Sequence, residues 1–357
     1  MNKTILFILL CAISAAAQKL ESPKLTPTPS TENQQRLIKE GVVLHDRGDY
    51  DGAITKYQAV LSENPNNVTA LYEMSYSFSL KKEHQKSIEL AYKGAQYKSD
   101  LLSQFYIMIG NGLDELGESK KAVDVYKQGI KIQPDDNLLY YNLALTYSKL
   151  GDLEESKKNL KKSAYLNPNH PSTQVALAQI FQKTGYRVPA LFAIMRFLTI
   201  EPNSGRSANG FALFKDLING GARPGKNPNE INIFMDLNAK KDEGDFGSID
   251  LILGLSGAAS KTEKNKNKTE VELLVDQLST VLAIIDEQDA KGDKSKFTWR
   301  YYIPYFIELK KKGFVEPFVY YISTSSNMKG AREWLQANET KVKEFLTWSK
   351  SYQWPKE

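Results

Sequence analysis

At 357 residues the chain exceeds the usual size of one domain, so two structural units are expected; 41% hydrophobic and 25% charged residues are ordinary for a soluble globular protein. Its 47 basic and 42 acidic residues leave a net +5, with lysines alternating with acids along helices rather than forming a basic stripe, which argues against a nucleic-acid partner. The one cysteine, Cys11, lies near the start, so disulfides, thiolate metal sites and a cysteine nucleophile are excluded from everything after it.

Residues 1–17 read as an export signal. Lys3 supplies the positive end, Ile5 to Ile13 form an apolar core too short to span a bilayer, and Ala15-Ala16-Ala17 suit signal peptidase, leaving Gln18 first in the mature chain. A periplasmic or secreted protein is expected. Lipidation at Cys11 is disfavoured because Leu10 stands where such signals place a small residue. No later segment is long and apolar enough to span a membrane. Residues 18–33 are rich in Pro, Thr and Ser and read as an extended, solvated linker.

From Gln34 the sequence repeats. Pro65, Ser99, Pro134, Pro168 and Pro202 recur about every 34 residues, and Gly48, Gly117, Gly151 and Gly185 keep the same beat, with Lys82 in the second unit's slot. Five units follow: 34–67, 68–102, 103–136, 137–170 and 171–204, with one extra residue near Leu101. Two antiparallel helices approach closely only where both carry small side chains, and Gly41/Ala53, Ser75/Ser87, Gly110/Ala122, Ala144/Ser156 and Ala178/Ala190 supply them. Leu44, Phe78, Leu113, Tyr147 and Phe181 fill the space around these pairs. Glycines permit the left-handed turn that ends a first helix, and prolines fall where a helix must stop.

The pattern resembles tetratricopeptide repeats over about half the chain, with the second unit departing most, at Lys82, Ala91 and Ser99. The resemblance implies an all-α fold: an α-solenoid of five helical hairpins followed by residues 205–357. It also implies a concave groove lined by the second, fifth, ninth and twelfth residues of each unit. Carried onto this chain, these are Ile38, Val42 and His45; Tyr72, Tyr76 and Ser79; Gln104, Ile107, Asn111 and Asp114; Tyr141, Leu145 and Ser148; and Val175, Gln179 and Gln182. Tyrosines and amides suit a peptide-binding surface, giving rigid apolar area with polar handles, although the same residues could serve contacts between neighbouring helices. Repeat domains that clamp the acidic tails of cytosolic chaperones carry Lys and Asn where this chain has Ile38 and Val42, so that mode is not expected.

Residues 205–357 read as mostly helical. A helix over Ser207 to Ile218 ends at Asn219-Gly220-Gly221, followed by one short strand, Ile231 to Leu237, and an apolar helix over Gly247 to Ala259. A solvated loop (Lys261 to Lys268) precedes an amphipathic helix over Thr269 to Ala290. An aromatic stretch from Trp299 to Tyr321 is split by Gly313, Pro304 opens or kinks its first helix, and one or two helices close the chain from Met328 to Trp354. This order resembles the C-terminal part of exported Bacteroidota-type repeat proteins, which carries no activity to transfer.

Chemistry is sparse. Gly220 to Lys226 satisfies G-x-x-x-x-G-K, but a helix precedes it, Asn227 replaces the hydroxyl residue and Pro228 interrupts the following helix, so a helix stop and turn is the better reading. Asp236 to Gly247 has carboxylates without the ligand order of a calcium loop. His45, His84 and His170 lack partners at metal-ligand spacing, and no serine sits in a G-x-S-x-G elbow. The expectation is an extracytoplasmic, non-enzymatic adaptor that holds a protein or peptide segment, with no cofactor, metal or catalytic residue. The rival readings are a structural part of an envelope assembly and an enzyme hidden in residues 205–357.

Overall fold

The structure, a computed structural model, describes residues 22–220, 222–224, 226–227, 230–233, 241–260, 262, 265–326 and 328–357. The expected export signal and Cys11 lie outside the described residues, as do Gly221 and Gly225 of the glycine motif and 236–240 of the carboxylate run. The described chain is all-α apart from one small hairpin, and divides into two compact units, residues 1–150 and 151–357.

The first unit holds α1 (Glu32–Asp46), α2 (Tyr50–Glu63), α3 (Val68–Leu80), α4 (His84–Gly94), α5 (Leu102–Glu115), α6 (Ser119–Ile132) and α7 (Asn137–Lys149). Side-chain oxygens start several of these helices by accepting from orphan backbone N–H groups: Thr31 forms a reciprocal capping box with Gln34, Asp49 caps α2 and Asn67 caps α3. In the α1/α2 and α5/α6 hairpins the glycine of the first helix makes room for a ring on the second. Gly41 lies flat on Tyr57 and Gly110 on Tyr126, where a Cβ would collide with the ring. In the second hairpin Ser75 donates to the Ser87 carbonyl at 2.8 Å and the two hydroxyl oxygens lie 3.1 Å apart, so the small-on-small contact also carries a buried hydrogen bond. Lys82 adopts φ 62°, the left-handed geometry that glycine supplies at φ 83° and 80° in Gly48 and Gly117, so the departing residue keeps the turn at a cost in strain.

The described part of the linker is extended but not solvated along its length. Lys24 and Leu25 N–H groups both donate to the Gln96 carbonyl at 3.0 Å, and Lys98 N–H returns a bond to Leu25 at 2.9 Å. Asn64 reaches the Thr28 carbonyl and Asn67 the Ser30 hydroxyl. The physical reason is local: α4 stops at Gly94, and the main chain of 96–98 is left open for a parallel β-bridge, Leu25 with Tyr97.

The second unit holds α8 (Leu153–Leu166), α9 (Pro171–Lys183), α10 (Arg187–Ile200), α11 (Ser207–Ile218), β1 (Ala222–Pro224), β2 (Ile231–Ile233), α12 (Gly247–Ala259), α13 (Glu270–Gln288), α14 (Ile303–Lys311), α15 (Val315–Ile322), α16 (Ala331–Ala337) and α17 (Glu339–Ser351). The expected single strand is the second arm of an antiparallel hairpin, with Ala222 opposite Ile233. A π-helical turn, Thr298–Tyr302, runs directly into α14, with Pro304 at the junction, where the widened turn accommodates a residue that has no N–H to donate. Thr269 and Glu272 form a capping box on α13, and Gly313 (φ 74°) turns α14 into α15.

The repeat register ends at Ser204, but the packing continues. α10 is buried all round: Leu191, Phe192, Ile194, Met195, Phe197 and Leu198 are all fully buried, packed on α9, α11, α15 and the Thr298–Tyr302 turn. A helix without a solvent face belongs at the centre of a core, which is why the last repeats and residues 205–357 form one unit.

Candidate functional site

On a helix, slots five, nine and twelve fall at i, i+4 and i+7 and share a face. In the first unit Tyr76, Asn111 and Leu145 are exposed, at the ninth slots of three successive first helices. Val42, Tyr72, Ser79, Gln104, Ile107, Asp114, Tyr141 and Ser148 are half-buried beside them. Ile38 and His45 are buried, 8% and 9% exposed, and serve packing within the first two hairpins. In the second unit Val175 is half-buried while Gln179 and Gln182 are exposed on α9.

His45 explains why Tyr76 is held in place. Its Nδ1 lies 2.8 Å from Ser77 Oγ, and Ser77 already donates to the Glu73 carbonyl at 2.9 Å, so His45 carries the Nδ1 proton and donates. The imidazole then stacks obliquely on Tyr76 with ring centroids 4.8 Å apart. Tyr72 lies near-parallel to Tyr76 at 6.3 Å and meets Phe105 edge-on at 6.0 Å. An exposed tyrosine braced on both sides presents apolar area with little entropy left to lose.

The polar members are already engaged. Asn111 Oδ1 accepts from the Tyr126 hydroxyl at 2.6 Å. Asp114 accepts from Ser119 and pairs with Lys149 at 3.3 Å. Burial pushes the Tyr72 hydroxyl above its usual range, and burial, with Asp46 nearby, raises Glu73.

A second cluster escaped the reading of the sequence. Lys157 and Lys161, one turn apart on α8, enclose Glu243: Lys161 Nζ donates to Oε2 at 2.6 Å and Lys157 Nζ lies 3.2 Å from Oε1. Lys157 and Glu243 are each only 3% exposed. Tyr186 donates its hydroxyl to Asp242, and Lys157 sits 4.6 Å over the Tyr186 ring. Burial holds the Lys161 ammonium below its ordinary range; on Lys157 burial acts in the same direction, but Glu154 and Glu243 more than offset it and the net shift is upward. The signal was present in the repeat. The slot of Lys157 holds Ile54, Ile88, Val123 and Leu191 in the other four units. Among the described residues no group of three His, Cys, Asp or Glu could hold a metal ion, and no helix is long and apolar enough to cross a membrane.

Comparison with known proteins agrees with this architecture. A TPR repeat family model matches residues 41–78 and 110–151, and a tetratricopeptide repeat model matches 139–170. The chain carries tetratricopeptide repeats, a class that mediates protein–protein interaction. A TPR repeat-containing protein of Methanocaldococcus jannaschii is 26% identical over 130 residues, 36% of this chain and 23% of its own length. Hsp70-Hsp90 organizing protein 3 of Arabidopsis thaliana is 26% identical over 185 residues, 51% of this chain and 31% of its own. The match thus spans less than a third of either relative. A thermophilic TPR protein of Thermus thermophilus, solved by crystallography, aligns with a TM-score of 0.44 at 21% identity, covering 52% of this chain and 98% of that one.

Proposed function

We propose that this chain is an extracytoplasmic, non-enzymatic scaffold of the exported bacterial type, which captures an extended protein segment on the face formed by α1, α3, α5 and α7. The observation that carries the reading is the braced tyrosine pair Tyr72–Tyr76, set among Val42, Ile107, Asn111, Tyr141 and Leu145. Rigid aromatic area flanked by aliphatics and amides is the composition of a binding hot spot. The burial of Ile38 removes the slot that a charge clamp would need, so affinity on this face comes from apolar burial rather than from capture of an acidic tail. That an Hsp70-Hsp90 organizing protein is among the relatives favours the same adaptor class without transferring its partners.

Site-specific photocrosslinking tests the reading. A photoreactive residue at Tyr76 and another at Leu145, introduced in the native cell, should trap the same partner band, and one at Gln58 on α2 should not. Equal trapping from all three positions would remove the case for this face. Fractionation of the same cells tests the export expectation, which predicts the chain outside the cytoplasm.

A further inference from the structure

We propose that the Lys157–Lys161 face of α8 is a receptor for the carboxylate of an acidic peptide ending in an aromatic residue, and that residues 241–246 (KDEGDF) occupy it in cis. The site stands apart from the first-helix face of the first unit and does not rest on that reading.

Three observations carry it. First, the repeat has no packing need for a cation here, since an aliphatic fills the slot of Lys157 in the other four units. A buried ion pair is no better for stability than a well-packed aliphatic, so the lysine is not accounted for by the fold. Second, the covering segment contributes little apolar burial. Asp242, Glu243, Gly244 and Asp245 bring charge and backbone; Phe246 brings the one ring, stacked on Trp299 with centroids 5.4 Å apart and planes 7° apart. Gly244, at φ 121°, lets the main chain lie against the same indole, where a Cβ would come within 2.8 Å of Trp299 Cδ1. Charge, close backbone approach and one aromatic anchor are how a short linear peptide binds. Third, the walls beneath are aromatic: Lys161 lies 5.8 Å over Phe181 and 5.6 Å over Phe297. Without Glu243, Lys157 would keep Glu154 at 2.8 Å and Asp242 at 3.6 Å, whereas Lys161, beneath the same segment, would lose the carboxylate it pairs with, which creates a demand for an acidic ligand.

A partner bearing an acid–acid–glycine–acid–aromatic sequence would therefore compete with the chain's own segment. The test uses the full chain and a fluorescein-labelled KDEGDF peptide with blocked ends, read by fluorescence anisotropy. Wild type should bind weakly, because the tethered segment has the advantage of effective concentration. Glu243→Gln weakens that internal competitor and should raise peptide affinity by about tenfold or more. Adding Lys157→Met and Lys161→Met should abolish the gain, and a peptide with glutamine in place of its second acidic residue should not bind. Affinity unchanged in Glu243→Gln, or retained without the lysines, overturns the proposal. If Glu243→Gln loses its helical circular dichroism, wild type decides: excess peptide should speed hydrogen exchange at the amides of 242–246, and unchanged exchange there overturns the proposal equally.

Discussion

The two units use the same helical hairpin for different ends. In the first, every repeat buries an apolar stripe and leaves the opposite face of its first helices to solvent, with Tyr76, Asn111 and Leu145 exposed in register. In the second, α10 has no solvent face, and polar groups are carried into the core with it. Arg196 is 2% exposed; its guanidinium donates to Asn169 Oδ1 at 2.6 Å and lies 4.5 Å over Trp354 and 5.6 Å over Tyr305. Tyr301 and Tyr302 donate to Ala164 O and Gln174 Oε1, joining the turn before α14 to α8 and α9. Repeat hairpins thus give a surface where their first helices stay open, and become core where a later segment folds over them.

If that contrast is right, the costliest single change lies in the second unit. Arg196→Ala removes the cation from an aromatic cage and leaves Asn169 without its donor; a loss of about 3 kcal/mol is expected in urea unfolding. A loss under about 1 kcal/mol would show that Arg196 is not part of the core's framework. In the first unit the sensitive points are the ring contacts: Gly110→Ala should cost about 1–3 kcal/mol, because Tyr126 must leave its rotamer. Lys82→Gly should act in the opposite sense, adding about 1 kcal/mol by relieving the left-handed backbone.

A pH series sharpens the account of the second cluster. Burial works to raise Asp242, but the Tyr186 hydroxyl and Lys157 outweigh it and its carboxyl sits below the usual range. A depressed folded-state value means that the stabilisation is fully present above the unfolded value and disappears as pH falls through the folded one. Wild type should therefore exceed Asp242→Asn by under about 1 kcal/mol at neutral pH, since the carboxylate is half-exposed, and the gap should close below about pH 4. A gap that widens in acid would reverse the assignment.

Much of the first unit was legible because its slots recur. Gly41, Gly110, Ala53 and Ala122 fall where two helices need small residues, and a pattern repeated five times overrides a departure such as Lys82. The contents of each slot were less legible. His45 occupies a groove position by spacing, yet its ring is drawn inward by Ser77, a partner 32 residues away that no periodicity names. The Pro-rich segment before α1 carries no hydrophobic pattern, so its seat on Gln96 rests on open backbone groups that composition does not reveal. Lys157 was visible as a break in an aliphatic column, but its partner Glu243 comes from a loop 86 residues later, outside the repeat.

The central claim is that the first-helix face of the first unit binds protein through apolar contact. Its most direct test is the affinity of the segment crosslinked at Tyr76 for wild type and for Tyr76→Ser with Leu145→Ser, measured calorimetrically beside the thermal midpoint. Both side chains are more than a third exposed, so stability should change by less than about 0.5 kcal/mol each. Affinity should fall by about tenfold or more. Full affinity in a variant with an unchanged midpoint would contradict the account.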